Sequence, residues 1–281
     1  QTTVARRLAA ILAADGRSVL TKTTGSEAAY VFPDGTVKEI RRLGPPSIIE
    51  QKRVLRLGAS LGVDVTIAEV MSVHEENHRI EVQRILQPHL VLVTNFRVDH
   101  AEAQGGTREE VAVLLATDVP PGATALVPEA ECLGAFEEVV TGQGGQVVRV
   151  PQGTAASSQP TEFEPNLDLV WAAARSLGVE DATIRQGLSA VEDDVGGLRT
   201  WRYGHEGLVE DWTVISAFAA NDPESTLLIH ERMVGPRMNQ GQACIGLLNL
   251  RADRGDRSLL WAESLAEGAL DRFDVLFLHG L

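Results

Sequence analysis

The fold class predicted is α/β: a central domain with a mostly parallel sheet, followed by a smaller Rossmann-like α/β domain that stops on a strand. Three observations carry it. Helix-period and strand-period segments alternate along the chain, as they do in βαβ units. Strand segments such as HLVLVTNF are short apolar runs, the pattern of strands covered on both faces. Composition then shifts to glycine and charge near DDVGGLRTWRYGHEG, which predicts a boundary between domains at 1–205 and 206–281.

The elements follow in order. Residues 4–15 repeat apolar positions at helical spacing and end at Gly16, after which RSVLTKTTG reads as a strand entering a turn. Ile48–Leu61 reads as a helix, Val65–Ala68 as a short strand, Ile80–Leu86 as a helix and HLVLVTNF as a buried strand. Thr107–Leu115 is again helical, with ATALVP and QVVRVP as strands after it. PQGTAASSQPTEFEPN is a polar loop. Two helices, Leu167–Leu177 and Ala182–Ala190, close the first domain. The second contains strand WTVISAF, helix Thr226–Met233, strand ACIGLLNL, helix Leu259–Ala269 and strand FDVLFLHGL.

Bulk properties narrow the function. With 281 residues, 44% hydrophobic and 23% charged, the chain can core two domains. A net charge of −14 argues against a nucleic-acid partner, because that affinity comes from cations on phosphates. Small anions held by local arginines remain open. Only Lys22, Lys38 and Lys52 are lysines. Cys132 and Cys244 have neither metal-ligand nor redox spacing, which predicts a reducing setting and buried thiols. No stretch approaches the ~20 apolar residues of a membrane span.

Candidate chemistry is scattered. Thr2 and Thr3 open the first helix; alone they read as a helix cap, yet a hydroxyl pair there also matches the end of a phosphate-binding P-loop. Glu69 ends a strand, and Asn95, Asp99 and His100 follow another, so an acid and a histidine could converge on one Mg²⁺ at the sheet's carboxyl edge. HEENH, with His74 and His78 four apart, has the form of a zinc helix but lacks a metalloprotease frame around it. Asn221 and Asp222 sit on a strand-to-helix turn, and NLRADRGDR gathers arginines suited to carboxylate or phosphate.

Taken in order, TKTTGSEA, GPPSIIEQK, VTNFRVDHAEAQGGTREEVA, FAANDPEST and NLRADRGDR resemble the Mur ligase superfamily, and within it the ATP-dependent ligase subunit of poly-γ-glutamate synthase. The resemblance implies a P-loop central domain, ATP and Mg²⁺ as cofactors, and a carboxylate activated as an acyl phosphate before an amine attacks. It implies glutamate and a poly-γ-glutamate capsule polymer as substrates. It also implies a small integral-membrane partner, a homo-oligomer, and a place at the cytoplasmic face of the membrane. Carried over by position, Thr2 and Thr3 become P-loop hydroxyls, with Thr2, Glu69 and His100 as metal ligands and Asn95 and Asn166 as nucleotide contacts. Arg199, Asn221, Asp222, Arg251 and Arg254 become the groups that act on the phosphoryl and the substrates.

Departures accompany it. Leu115 stands where many Mur ligases carry a carbamylated lysine, Ser216 replaces an aspartate, and Gln1 replaces the P-loop lysine. The chain also starts after the loop's glycines and stops partway through the expected second domain. Two alternatives stay open: a nucleotide-binding scaffold that has lost turnover, and a folylpolyglutamate-type ligase.

Overall fold

Contacts divide the chain into two units, Gln1–Asp194 and Val195–Leu281. The computed structural model describes residues 1–24, 28–42, 44–155, 164–190, 198–204, 212–218, 220, 222–235, 242–251 and 255–280.

In the first unit, helix α1 (Thr2–Ala14) buries Val4, Leu8, Ile11 and Leu12, spaced along one face, and leads into strand β1 (Val19–Thr23). Strands β2 (Ala29–Val31) and β3 (Val37–Glu39) then form an antiparallel hairpin beside β1. The sequence reading did not predict this hairpin. Its turn is FPDGT: Phe32 N donates to Thr36 O at 2.9 Å, Asp34 Oδ1 accepts from Thr36 N at 2.9 Å, and Gly35 takes φ +83°. Helix α2 (Ile49–Leu61) crosses to β4 (Val65–Ala68), which pairs parallel to β1 and completes a sheet of order β3-β2-β1-β4.

Helix α3 (Glu75–Ile80) continues as a π-helical turn, Glu81–Leu86, where one α-helix was expected. Strand β5 (Leu90–Leu92), a short helix α4 (Ala101–Gln104) and helix α5 (Arg108–Ala116) follow. Thr107 and Glu110 form a capping box at the start of α5. Strands β6 (Thr124–Pro128) and β7 (Gln146–Val150) extend a parallel sheet of order β5-β6-β7, with helix α6 (Gly134–Gly142), also unforeseen, between them. Helices α7 (Glu164–Ser176) and α8 (Asp181–Ser189) end the unit.

Alternation along β6 shows why a parallel sheet forms. Leu126 packs with Leu8, Ile11, Trp171 and Ile184 of α1, α7 and α8, whereas Ala125 and Val127 pack with Val111, Phe136 and Val140 of α5 and α6. A strand buried on both faces needs helices on both sides, which the crossover connections supply. The two cysteines correct an expectation: Cys132 and Cys244 are half-buried rather than buried. Burial first, then Glu137, pushes the Cys132 thiol up to about 11.

The second unit contains the antiparallel pair β8 (Arg199–Tyr203) and β9 (Trp212–Ser216); β8 falls in the stretch expected to be the domain boundary. Helix α9 (Pro223–Ile229) runs into a π-helical turn, His230–Val234. Strands β10 (Ile245–Asn249) and β11 (Val275–His279) pair in parallel around helix α10 (Gly255–Ala266), the predicted crossover unit. No described helix is long and apolar enough to cross a membrane.

One ion pair ties the loop after β3 to α2. Arg42 donates two hydrogen bonds to the buried Glu50, 2.7 and 2.9 Å, and these hold its carboxyl below the usual value near 4.5, with Lys22 adding to the effect. A carboxyl lowered in the folded state contributes stability above its unfolded pKa and loses it as pH falls through the folded one. Arg42→Ala is therefore expected to move the acid-unfolding midpoint to higher pH, followed by far-UV circular dichroism; an unchanged midpoint would show the pair to be neutral.

Candidate active site

Strands β1 and β4 end side by side, the place where parallel α/β sheets present ligands. β4 runs directly into Glu69, whose amide donates to the Lys22 carbonyl at 3.0 Å. Glu69 is 6% exposed. Its Oε2 accepts from both the amide and the hydroxyl of Thr24, the latter at 2.7 Å. Its Oε1 is buried and has no hydrogen-bond partner among the described residues. A carboxylate oxygen removed from water and left unpaired is costly, and a cation is the group that satisfies it.

The start of α1 lies close by, for the Gln1 main-chain nitrogen is within electrostatic reach of Glu69. Thr2 and Thr3 occupy the first helical turn, half-buried, with Gln1 in the cap position and no side chain capping the helix. Neither hydroxyl therefore serves as the cap that a threonine at a helix start first implies. The unpaired amides of that turn and the helix dipole favour an anion. Together these features fit a divalent cation with a phosphate beside it.

Behind Glu69 lies a buried polar cluster that the sequence reading did not single out. Gln51 Nε2 donates to the Glu69 carbonyl at 2.9 Å and to the carboxylate of Glu81. Glu81 is fully buried and also accepts from Met71 N at 3.0 Å, from Ser72 N at 2.9 Å and from the Ser72 hydroxyl. Lys22, fully buried too, sits 3.7 Å from Glu50. Burial pushes its amine below the usual lysine range, against the pull of Glu50 and Glu81. Lys22 thus lies within electrostatic reach of three carboxylates, those of Glu50, Glu69 and Glu81, with Arg42 paired to the first. Met71 and Ser72 in turn line a cavity of about 470 Å³, with Ser47, Val73, His74 and Asn77.

His100 follows β5 and adopts left-handed backbone, φ 57° and ψ 50°, at the start of α4. Such strain in a non-glycine residue clusters at functional sites. Its Nε2 is 3.8 Å from Asp99 Oδ2. Among the described residues no hydrogen bond or ion pair joins His100 to Glu69. Asn95 turns inward on its own loop, its Oδ1 accepting from Arg97 N at 3.1 Å. Glu131 bridges Arg97 and Arg108 and so braces this loop against α5. Leu115 lies in α5, and Asn166, half-buried, lies in the first turn of α7.

The histidines of HEENH diverge. His74 is exposed, whereas His78 is buried with Nδ1 3.0 Å from both oxygens of Asp118. Burial raises the Asp118 carboxyl, and the His78 hydrogen bond pulls it back.

In the second unit, Arg199 begins β8 opposite Ser216, and Arg251 follows β10, exposed. Asp222 caps α9: its two oxygens accept from Ser225 N at 2.7 Å and Ser225 Oγ at 2.6 Å. Asn221 and Arg254 lie outside the described residues.

Comparison with known proteins adds identity to this geometry. Residues 204–281 match the family described as the poly-gamma-glutamate synthase CapB C-terminal domain. Over 272 residues, 94% of the chain, it is 29% identical to the capsule biosynthesis protein CapB of Bacillus anthracis. The same stretch is 26% identical to the PGA synthase CapB of Bacillus subtilis strain 168. The chain is thus similar to CapB proteins over nearly its whole length. It spans 58% and 68% of the lengths of those two relatives. Its fold is similar to that of folylpolyglutamate synthases. E. coli FolC in complex with DHPP and ADP superposes with a TM-score of 0.68 at 19% identity, covering 99% of this chain and 77% of FolC. The Yersinia pestis bifunctional folylpolyglutamate/dihydrofolate synthase complexed with AMPPNP and Mn ion gives 0.64 at 16%, covering 99% and 83%. Both units of the chain therefore have counterparts in those structures.

Proposed function

We propose that this chain is the ATP-dependent ligase of a poly-γ-glutamate synthase. It acts at the cytoplasmic face of the membrane as a homo-oligomer with a small integral-membrane partner. The observation that carries the reading is the buried Oε1 of Glu69, which has no hydrogen-bond partner among the described residues and lies within electrostatic reach of the start of α1. Thr2, Glu69 and His100 would hold Mg²⁺, which when bound offsets negative charge on phosphoryl oxygens. Thr2, Thr3, Asn95 and Asn166 would contact ATP.

Two steps follow. A carboxylate oxygen of the growing chain attacks the γ-phosphorus, and ADP leaves with the electrons of the broken P–O bond. The amine of the incoming glutamate then attacks the acyl carbon, and phosphate leaves as the amine loses a proton. Catalysis of this kind is mainly positioning and electrostatics, the work assigned to Arg199, Arg251 and Arg254 with Asn221. Asp222 has both oxygens engaged in the α9 cap and would fix the start of that helix. The cavity lined by Ser47, Ser72, His74 and Asn77 offers polar groups to an extended polyamide.

Protein supplied with Mg²⁺-ATP, glutamate and a short γ-glutamyl oligomer should release ADP and phosphate with glutamate incorporated. AMP as the product would overturn the ligase reading. Folate-dependent turnover would move it to the FolC branch, and nucleotide binding without product, with the membrane partner present, would favour a scaffold.

A further inference from the structure

We propose that Glu81 is a positioning residue that ties the cavity wall to the cation carboxylate of Glu69. The inference rests on the reading above. Four donors converge on one fully buried carboxylate: Gln51 Nε2, Met71 N, Ser72 N and the Ser72 hydroxyl. The same Gln51 nitrogen donates to the Glu69 carbonyl, so Glu81 holds the chain that leaves Glu69, directly at residues 71–72 and through Gln51 at the Glu69 carbonyl. Only an ionised carboxylate accepts four donors at once; an amide must turn a donor toward one of them.

A second observation points the same way. The π-helical turn begins at Glu81 itself, and such turns are frequent at functional sites. Lys22 supplies the compensating charge from β1. Groups one shell behind a metal ligand set its orientation, and their loss weakens metal affinity about 10- to 100-fold.

Mn²⁺ binding in the presence of AMPPNP, read by electron paramagnetic resonance, tests this apart from turnover. Glu81→Gln is expected to raise the Mn²⁺ dissociation constant about 10-fold. Ser72→Ala, which removes a single hydroxyl from a half-buried wall and so keeps the fold, should raise it in the same direction by less. Mn²⁺ binding at the wild-type constant in Ser72→Ala, or in folded Glu81→Gln, overturns the proposal. Glu69→Gln run alongside separates the two failures. If it binds Mn²⁺ normally, the cation site itself is wrong; if it alone loses Mn²⁺, only the positioning role is wrong.

Discussion

Glu69→Gln is expected to lower glutamate-dependent ADP formation by at least about 100-fold, the scale on which one preorganised electrostatic contact acts. The fold should survive, and the reason lies in how the two oxygens are used. Thr24 presents two donors to Oε2, its amide and its hydroxyl, so the glutamine oxygen takes that place and both hydrogen bonds persist. The amide nitrogen then falls where Oε1 was, pointing protons at the spot a cation needs lone pairs. Because Oε1 has no hydrogen-bond partner among the described residues, the buried carboxylate is a cost to the metal-free fold, and neutral glutamine lessens it. Thermal unfolding of metal-free Glu69→Gln should thus come at or above the wild-type temperature while activity collapses, the opposition of stability and function seen at many active sites. An active variant, or one that is inactive because it is unfolded, would refute this account.

The same residue shows how far the sequence could be read. Glu69 was accessible because a strand-ending carboxylate followed by a downstream Asp-His is a pattern in one dimension. Its support was not. Gln51 lies 18 residues before it on α2, and Glu81 lies on a π-helical turn that apolar periodicity cannot distinguish from an α-helix. Lys22 falls inside a strand buried at every position, where a charge has no place until Glu50 arrives from α2. Parallel pairs and their crossover helices were legible because each strand is a short apolar run. The β2–β3 hairpin was missed although FPDGT marks its turn, since its strands have three residues each and β3 is exposed throughout. For Asp222, the sequence could not separate a catalytic carboxylate from a cap, because Asp-Pro-x-Ser satisfies both; in the structure its oxygens accept from Ser225 at the start of α9.

Gly187→Ala is expected to destabilise the first unit, against the gain of about 1 kcal/mol that alanine normally brings to a helix interior. A Cβ at Gly187 of α8 would stand 2.5 Å from the Cα and 2.9 Å from the nitrogen of Ile11 in α1. Those are main-chain atoms, and no rotamer change removes the overlap. One helix must move, and Ile11 is fully buried among Leu12, Trp171 and Ile184, so the movement opens a close-packed core. Overpacking of this kind costs about 1–3 kcal/mol and occasionally more, which exceeds the propensity gain. A lower urea midpoint for Gly187→Ala, and a still lower one for Gly187→Val, is the expected result; a midpoint equal to or above wild type would refute it. The consequence reaches the site because α1 is rigid. Thr2 stands nine residues from Ile11, about 14 Å along the axis, so tilting α1 at the α8 crossing swings its N-terminus away from Glu69. Folded Gly187→Ala should therefore bind nucleotide more weakly, in proportion to its lost stability, through a contact made at the far end of the helix.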